Sequence, residues 1–240
     1  MRIEANVCLT CNMPGGCPGC DRLCGIVPFD DEITPAQISG VLQEAKTKNI
    51  HIDRAKIVGG EPLLCSSLVE IVELLIRDGI ESGVVGSIKL DTNGIAALPS
   101  DLPKHPNFRV GGRKPKKKIH LPFLWSPRDL NIESHGPCSH PSKCGFSLDG
   151  RGWLPCSPAI MIDRLFYGER HYRDEIPTRP WGCDELCVHC LYSTPEWFRE
   201  RWATPIRQFT PEMRMPTRSW ATALRNAGIH VEQVYEPQVI

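Results

Sequence analysis

The sequence predicts an α/β fold in which a partial (β/α) barrel of the TIM type is followed by a small cysteine-rich C-terminal extension. Strand and helix patterns alternate over residues 1–94, which is typical of right-handed βαβ units and a parallel sheet. From about residue 136 the composition changes to cysteine, proline and tryptophan. A full eightfold barrel needs about 250 residues, so a partial barrel over residues 1–135 and an extension over residues 136–240 are expected.

The chain is predicted to begin with a strand and a helix. IEANVCLTC alternates loosely and predicts a strand that runs into a cysteine-rich loop. ITPAQISGVLQEAKTKN predicts a helix in which Thr34 is the N-cap and Pro35 takes the first position. Its apolar face contains Ile38, Val41, Leu42 and Ala45.

The next segments repeat this order. RAKIVGG predicts a short buried strand, and SSLVEIVELLIRDG predicts a helix with capping-box spacing between Ser67 and Glu70 and a stop at Gly79. VVGSIKLDTNG predicts a third strand ending in a turn. Ligands of parallel sheets bind beyond the carboxyl ends of the strands, so CNMPGGCPGC, GGEP and DTNG are expected at one edge.

The later segments are less regular. One or two strands are expected around Phe108–Val110 and Lys118–Leu121. RSWATALRNAGIHVEQVY predicts a helix that stops at Gly228 and is followed by a final strand.

The overall composition is that of a soluble globular protein. Of the 240 residues, 41% are hydrophobic and 23% are charged, and the formal net charge of zero favours neither nucleic acid nor membrane as a partner. No apolar run approaches the roughly 20 residues that span a bilayer, and the first residues lack the pattern of a secretory signal. A cytoplasmic protein is therefore expected.

The cysteines fall into two groups, which in a reducing compartment predicts metal or redox sites rather than disulfides. The first group contains Cys8, Cys11, Cys17, Cys20 and Cys24. The second group contains Cys138, Cys144, Cys156, Cys183, Cys187 and Cys190. Cys65 stands alone and is expected to be a small buried hydrophobic residue.

The first group is compatible with two kinds of metal site. Cys11, Cys17 and Cys20 lie on one loop, where three thiolates can hold three irons of a 4Fe–4S cluster and leave the fourth iron open. An open metal position is typical of catalytic sites. A zinc site that also uses Cys8 would explain the same spacing, and this group alone does not separate the two.

Two further segments carry candidate cofactor-binding residues. Two glycines at a strand end let a ligand approach the backbone, and the glutamate of GGEP can receive an ammonium group. DTNG offers polar side chains to a ribose or an amino acid, although it is also an ordinary turn sequence. The predicted cofactor-binding residues are Gly59, Gly60, Glu61, Pro62, Asp91, Thr92 and Asn93.

Together these segments resemble the radical S-adenosylmethionine (SAM) superfamily, in which a strand leads into CNxxCxxC, a second ends in GGEP and a later one ends near TNG. LTCNM, CPGC, GGEPLL and DTNG match in this order over residues 3–94. The first spacing is Cys-x5-Cys instead of the usual Cys-x3-Cys, which leaves Cys8 and Cys24 as alternative ligands.

The resemblance implies a radical SAM enzyme. SAM would chelate the open iron through its amino and carboxylate groups, and the GGEP backbone and Glu61 would hold its ammonium. One electron passed through the cluster would cleave SAM to methionine and a 5′-deoxyadenosyl radical, which abstracts hydrogen from a substrate. An electron donor such as flavodoxin or ferredoxin is implied. The substrate, whether a peptide, a protein or a small molecule, is not defined by the sequence.

The second group resembles the SPASM or twitch extensions of radical SAM enzymes. CGFSLDGRGWLPC and CDELCVHC carry the resemblance. It implies an auxiliary iron–sulfur cluster, with ligands predicted among Cys144, Cys156, Cys183, Cys187 and Cys190. A structural zinc site built from Cys144, Cys156, Cys187 and Cys190 is the alternative, and a ligand role for Cys138 stays open.

A binding module without catalysis is the alternative class of function. Zinc or an iron–sulfur cluster would stabilise it, and the basic run RKPKKK, residues 113–118, would contact nucleic acid or protein. Such a module has no need for GGEP at a strand end that faces the cysteine loop. We therefore predict the enzyme and expect no nucleic-acid partner.

Overall fold

Short strands and α-helices build the described part of the chain. The computed structural model describes residues 1–13, 17, 19–112, 119–120, 122–134, 138–205 and 210–230. The strands are β1 (Arg2–Asn6), β2 (Arg54–Val58), β3 (Ile88–Thr92), β4 (Phe108–Gly112), β5 (Ile119–His120), β6 (Phe146–Asp149), β7 (Gly152–Leu154) and β8 (Thr204–Pro205). The α-helices are α1 (Pro35–Thr47), α2 (Leu68–Leu74), α3 (His140–Lys143), α4 (Ala159–Ile162), α5 (Cys183–Leu186), α6 (Glu196–Trp202), α7 (Pro211–Arg214) and α8 (Arg218–Asn226).

Six strands form one mixed sheet in the order β4-β3-β2-β1-β6-β7. Neighbouring strands from β4 to β6 are parallel, and the hairpin partner β7 is antiparallel to β6. The predicted α/β class is therefore confirmed. Among the described strands this order is linear, with β4 and β7 at its ends, so closure into a partial barrel stays a prediction.

The sheet crosses the predicted domain boundary near residue 136. β6 pairs with β1 in a register that sets Ile3 opposite Phe146 and Ala5 opposite Leu148. The hairpin β6–β7 thus extends the sheet that β1 to β4 build. The division into two domains stays a prediction.

The first helix follows its sequence signals closely. The Thr34 hydroxyl accepts from the Gln37 backbone N–H at 3.2 Å, and the Gln37 side chain accepts from the Thr34 backbone N–H at 2.9 Å. This reciprocal capping box satisfies N–H groups that the first turn leaves without a partner. The predicted apolar face, Ile38, Val41, Leu42 and Ala45, is buried.

The second helix differs from its prediction at both ends. Ser67 precedes α2 but makes no side-chain capping bond, so the predicted capping box is wrong. Gly79 does not end the helix, because α2 continues directly as a π-helix over Leu75–Ile80. A Cβ at Gly79 would lie 2.9 Å from Val85 Cγ2, so glycine is needed there for close packing.

The later strand and helix predictions have mixed outcomes. The strand expected at Phe108–Val110 is β4, and Gly228 follows α8 with a φ of +75°. Of the strand expected at Lys118–Leu121, Ile119–His120 forms β5, which pairs with β8. Lys118, Leu121, the basic run at 113–118 and residues 231–240 of the expected final strand lie outside the described residues.

The two faces of the main sheet differ in chemistry. One face packs its aliphatic residues, such as Ile3, Ile57 and Leu90, against α1 and α2 in the main hydrophobic core. The opposite face, which we call the polar face, carries the alternating residues Glu4, Asn6, Lys56, Lys89, Asp91 and Ser147. In a strand, successive side chains point to opposite sides, so this division follows from the alternating sequences.

Glu4 is the most buried charge of the polar face, with a side chain that is 4% exposed. Its carboxylate accepts from Lys56 Nζ at 2.9 Å and from Ser157 Oγ at 2.7 Å. Burial opposes ionisation, but Lys56 and Arg22 outweigh it and lower the pKa of Glu4 from 4.5 to about 2.

This lowered pKa predicts acid sensitivity. A carboxylate whose pKa is depressed by folding stabilises the fold above its unfolded pKa, and that contribution is lost as pH falls from 4.5 towards 2. The contribution is about 3 kcal/mol at neutral pH. Urea unfolding at a series of pH values should show Glu4→Gln losing less stability on acidification than the wild type. The exposed Glu81→Gln is the control, and parallel losses in wild type and Glu4→Gln would contradict the expectation.

A second apolar cluster packs the cysteine-rich part of the chain against the first cysteine loop. Leu9 and Leu23 from that loop lie in it together with Ile160 and Trp220. In the described part of the chain, no helix is long and apolar enough to cross a membrane.

Candidate cofactor-binding site

The two glycines of GGEP lie directly against the backbone of the first cysteine loop. Gly60 N donates to Cys8 O and Glu61 N donates to Thr10 O, both at 2.8 Å. A Cβ on Gly59 would lie 2.2 Å from Cys8 O, and one on Gly60 would lie 2.0 Å from Thr10 O. Glycine at both positions is therefore a condition for bringing the cysteine loop onto the end of β2.

Glu61 is fully buried and accepts three hydrogen bonds from the protein. Its carboxylate accepts from Leu63 N at 3.1 Å, from Thr92 Oγ1 at 2.6 Å and from Asn93 N at 2.6 Å. The side chain thus joins the end of β2 to the end of β3. Pro62 is also buried and begins a short 3₁₀ turn.

Asn93 connects the end of β3 to the cysteine loop. Its Nδ2 donates to Asn12 Oδ1 at 2.8 Å and to Cys11 Sγ at 3.8 Å. Three of the predicted segments are therefore linked by direct hydrogen bonds at one edge of the sheet, where the parallel topology predicts a ligand site.

Asp91 has different neighbours from the other predicted cofactor-binding residues. It points to the polar face and forms ion pairs with Lys56 at 3.3 Å and Lys89 at 2.8 Å. Although partial burial raises its pKa, the two lysines outweigh this and lower the pKa of Asp91 below its usual value. Asp91 and Thr92 are adjacent in β3, so their side chains point to opposite faces.

The three predicted cluster ligands, Cys11, Cys17 and Cys20, are all half-buried. Hydrogen bonding from Cys24 lowers the pKa of Cys20 to about 7 despite burial, and the same bond together with burial raises the pKa of Cys24. Thiolate is the form that binds metal. Cys24 lies beside the predicted ligand Cys20, and its place as an alternative ligand stays a prediction.

Cys8 and Cys65 point into the protein interior. Cys8 is buried and its thiol donates to Glu61 O at 3.2 Å, and burial raises the pKa of Cys8 to about 12. Cys65 is buried in the main core, as predicted.

The thiols of the first loop fit an iron–sulfur cluster in their chemistry. Among the described residues, no three Cys, His, Asp or Glu side chains converge closely enough to hold a single metal ion. The thiolates of a 4Fe–4S cluster each bind a different iron and so need not converge on one point. Half-buried thiols on a loop against a glycine-rich backbone are compatible with such a cluster.

Five thiols of the second group line one cavity. Its cysteines are Cys138, Cys156, Cys183, Cys187 and Cys190. The remaining lining is mostly apolar, with Pro155, Ile162 and Leu186 among its residues, and the cavity leaves about 20 Å³ of free space. Thiols in a mostly apolar lining have the donor chemistry of a second iron–sulfur cluster, and the apolar shell around a cluster controls solvent access.

The cavity differs in two residues from the set that the sequence suggested. Cys138, which the sequence left open, lines it, whereas Cys144 does not line it in the described part of the chain. Burial raises the pKa of Cys144, and the charge of Glu4 adds to this shift. The spacing around the β6–β7 hairpin does not reveal which flanking thiol faces the cavity.

Tyr192 lines the thiol-lined cavity and was not among the predicted site residues. Burial raises the pKa of Tyr192, and Asp21 and Cys190 add to this shift, with Cys20 also close enough to contribute. Its ring packs on His140 with the centroids 4.9 Å apart. A tyrosine that follows the last cysteine of CDELCVHC carries no recognisable signal in the sequence.

Comparison with known proteins gives a distant structural likeness. No family model matches the chain, and no curated protein matches it. The chain resembles the crystal structure of BtrN in complex with AdoMet and 2-DOIA, with 17% identity, 86% of this chain and 88% of that chain covered, and a TM-score of 0.44. It also resembles selenomethionine BtrN in an open conformation, with 16% identity, 86% of each chain covered and a TM-score of 0.43.

Proposed function

We propose that the chain is a radical SAM enzyme that binds a 4Fe–4S cluster and SAM at the carboxyl edge of β1, β2 and β3. The observation that carries the proposal is the hydrogen-bonded link between the three segments, from Cys11 through Asn93 to Glu61. A binding module stabilised by metal would not need these three strand ends to be joined around one loop.

In this proposal each segment has a separate task. Cys11, Cys17 and Cys20 hold the cluster, and Gly59 and Gly60 keep the backbone of β2 within reach of it. When bound, the cluster supplies the single electron that cleaves SAM to methionine and a 5′-deoxyadenosyl radical.

Glu61 acts on SAM mainly by holding the loops that surround it. A carboxylate offers about four lone-pair positions, and three protein donors already occupy Glu61. Its negative charge, buried at the edge of the site, still favours a nearby ammonium group. Both effects disappear when the carboxylate becomes an amide.

Glu61→Gln is therefore expected to weaken SAM binding without removing the cluster. Losing the interaction between the buried charge and the SAM ammonium costs about 1.5–3 kcal/mol, or roughly ten- to a hundredfold in affinity. Equilibrium binding of SAM to the anaerobically reconstituted protein measures this, with iron content measured in parallel. Glu70→Gln, on the exposed side of α2, is the matched control. An unchanged affinity of Glu61→Gln for SAM would show that Glu61 does not contribute to SAM binding.

The substrate is proposed to lie over the half-buried part of the polar face, at Lys56, Lys89 and Asp91, and to carry polar groups. This face borders the same strand ends, and its charges pair with one another, as Lys56 does with Glu4 and Asp91. A peptide, a protein or a small molecule bearing hydroxyl or charged groups would fit this surface. An electron donor such as flavodoxin or ferredoxin would supply the electron.

A second iron–sulfur cluster in the thiol-lined cavity is the other part of the proposal. The ligands would be drawn from Cys138, Cys156, Cys183, Cys187 and Cys190, which exceed by one the four that a closed cluster needs. Cys183 and Cys187 are hydrogen-bonded to each other, which lowers the pKa of Cys183 to about 7 and raises the pKa of Cys187.

The proposed function is tested by electron paramagnetic resonance (EPR) of the reduced protein. After anaerobic reconstitution with iron and sulfide, dithionite should give a cluster signal that changes when SAM is added, because SAM binds the open iron. Uptake of stoichiometric zinc in place of iron would contradict the proposal. An iron signal that does not change when SAM is added would contradict it as well.

A further inference from the structure

We infer that Asn93 donates a hydrogen bond to the Cys11 sulfur when that sulfur binds the cluster, and that this bond raises the reduction potential of the cluster. Glu61 is the residue that positions Asn93 for this contact. The inference rests on the proposed function. It gives Asn93 of the DTNG segment a role towards the cluster in addition to contact with SAM.

The orientation of the Asn93 amide is fixed by a backbone donor. Asn93 Oδ1 accepts from Ile95 N at 2.9 Å. The oxygen must face this N–H group, so the nitrogen faces the opposite side. There Nδ2 has two hydrogens and two acceptors, Asn12 Oδ1 at 2.8 Å and Cys11 Sγ at 3.8 Å. The sulfur therefore meets a donor and not the amide oxygen.

The backbone of Asn93 is held as firmly as its side chain. Its N–H donates to Glu61 Oε2 at 2.6 Å, and the neighbouring Thr92 hydroxyl donates to Oε1, also at 2.6 Å. Glu61 is fully buried. Moving Asn93 away from Cys11 would leave a buried carboxylate short of a donor, which is costly. Glu61 thus fixes the distance between Asn93 and the cysteine loop.

The chemical consequence follows from the charge of the cluster. Hydrogen bonds to the sulfurs are among the factors that set the potential of an iron–sulfur cluster. Reduction adds one negative charge, which spreads onto the ligand sulfurs, so an N–H donor stabilises the reduced form more than the oxidised form. Removing the donor should therefore lower the potential. A backbone N–H from Met13 also reaches Cys11, and side-chain substitution at Asn93 leaves that bond in place.

Two substitutions remove the donor while keeping the turn. In Asn93→Ser the hydroxyl can still accept from Ile95 N, as serine does in comparable turns. Asn93→Asp keeps an oxygen at the same position, replaces the N–H donor by an acceptor and adds a negative charge beside Cys11. Asn12→Ala removes the other acceptor of the amide and leaves the contact with Cys11. Asn107→Ala, at an exposed position before β4, is the unrelated control.

The measurement is a redox titration of full-length reconstituted protein followed by EPR. Iron content is determined for every variant, and the relevant cluster is recognised as the one whose signal changes with SAM. We expect Asn93→Ser to lower the equilibrium constant for reduction about three- to tenfold, where tenfold is about 59 mV for a one-electron couple. Asn93→Asp should lower it further, and Asn12→Ala and Asn107→Ala should match the wild type.

The outcomes separate this inference from the proposed function. A SAM-responsive cluster that titrates identically in wild type, Asn93→Ser and Asn93→Asp would overturn the role of Asn93 and leave the radical SAM assignment intact. An equal shift in Asn12→Ala would also overturn it, since loosening of the loop would then be the cause. A wild type with no SAM-responsive cluster would overturn both. If Asn93→Ser does not load iron, Asn93→Asp decides the question.

Discussion

Replacing Cys11, Cys17 and Cys20 together by alanine is expected to reduce 5′-deoxyadenosine formation to the background without enzyme. The reason is that these half-buried thiols are the proposed ligands of the cluster that leaves one iron open to SAM. The measurement is the amount of 5′-deoxyadenosine formed from SAM under dithionite by anaerobically reconstituted protein. If the triple variant forms 5′-deoxyadenosine at the wild-type rate, the cysteine loop is not required for SAM cleavage.

Two single substitutions serve as controls for this result. Cys65→Ala changes a thiol that is buried in the main core, and cleavage of SAM should stay largely intact. Cys24→Ala tests the thiol beside Cys20, and we expect cleavage to persist because Cys17 completes the ligand set. If Cys24→Ala abolishes cleavage and Cys17→Ala does not, Cys24 is the third ligand.

The second large effect is expected at the thiol-lined cavity. With Cys11, Cys17 and Cys20 replaced, reconstituted protein should still bind about four irons per chain, which is the content of one further cluster. Replacing Cys156 and Cys187 in addition should remove this iron. It should also destabilise the surrounding segment, because bonds to a metal that form only in the folded state add to the free energy of folding.

Cys144→Ala is the matched control for the cavity. This thiol belongs to the same sequence group but does not line the cavity in the described part of the chain, so its loss should leave the iron content unchanged. Iron is counted against protein, and zinc is measured in the same samples. Iron near zero with one zinc per chain would show that the cavity is a zinc site, and the proposal for the first loop would still stand.

Local sequence signals were sufficient for the parts of the fold that depend on short-range contacts. The capping box of α1 involves residues three positions apart, and its apolar face follows from helical periodicity. The end of α2 could not be predicted in this way. Gly79 is required by a close contact with Val85 after the helix, whereas the sequence suggested a helix stop.

Long-range strand pairing and side-chain direction could not be predicted from the sequence. β6 pairs with β1 across about 140 residues, so a boundary drawn from composition alone could not show that both strands share a sheet. The motif GGEP indicated Glu61 as a site residue. The motif could not show that Thr92 and Asn93 bury the Glu61 carboxylate, because this contact depends on how the ends of β2 and β3 meet. The same limit applies to Cys138 and Cys144, whose spacing does not define which thiol enters the cavity.

The most direct test of the central claim is the stoichiometry of SAM cleavage by the wild-type protein. Fully reconstituted protein is incubated anaerobically with SAM and dithionite, and methionine and 5′-deoxyadenosine are quantified together. The radical SAM assignment predicts that both products form in equal amounts and that neither forms without reductant. Protein loaded with iron that leaves SAM intact under these conditions would contradict the assignment.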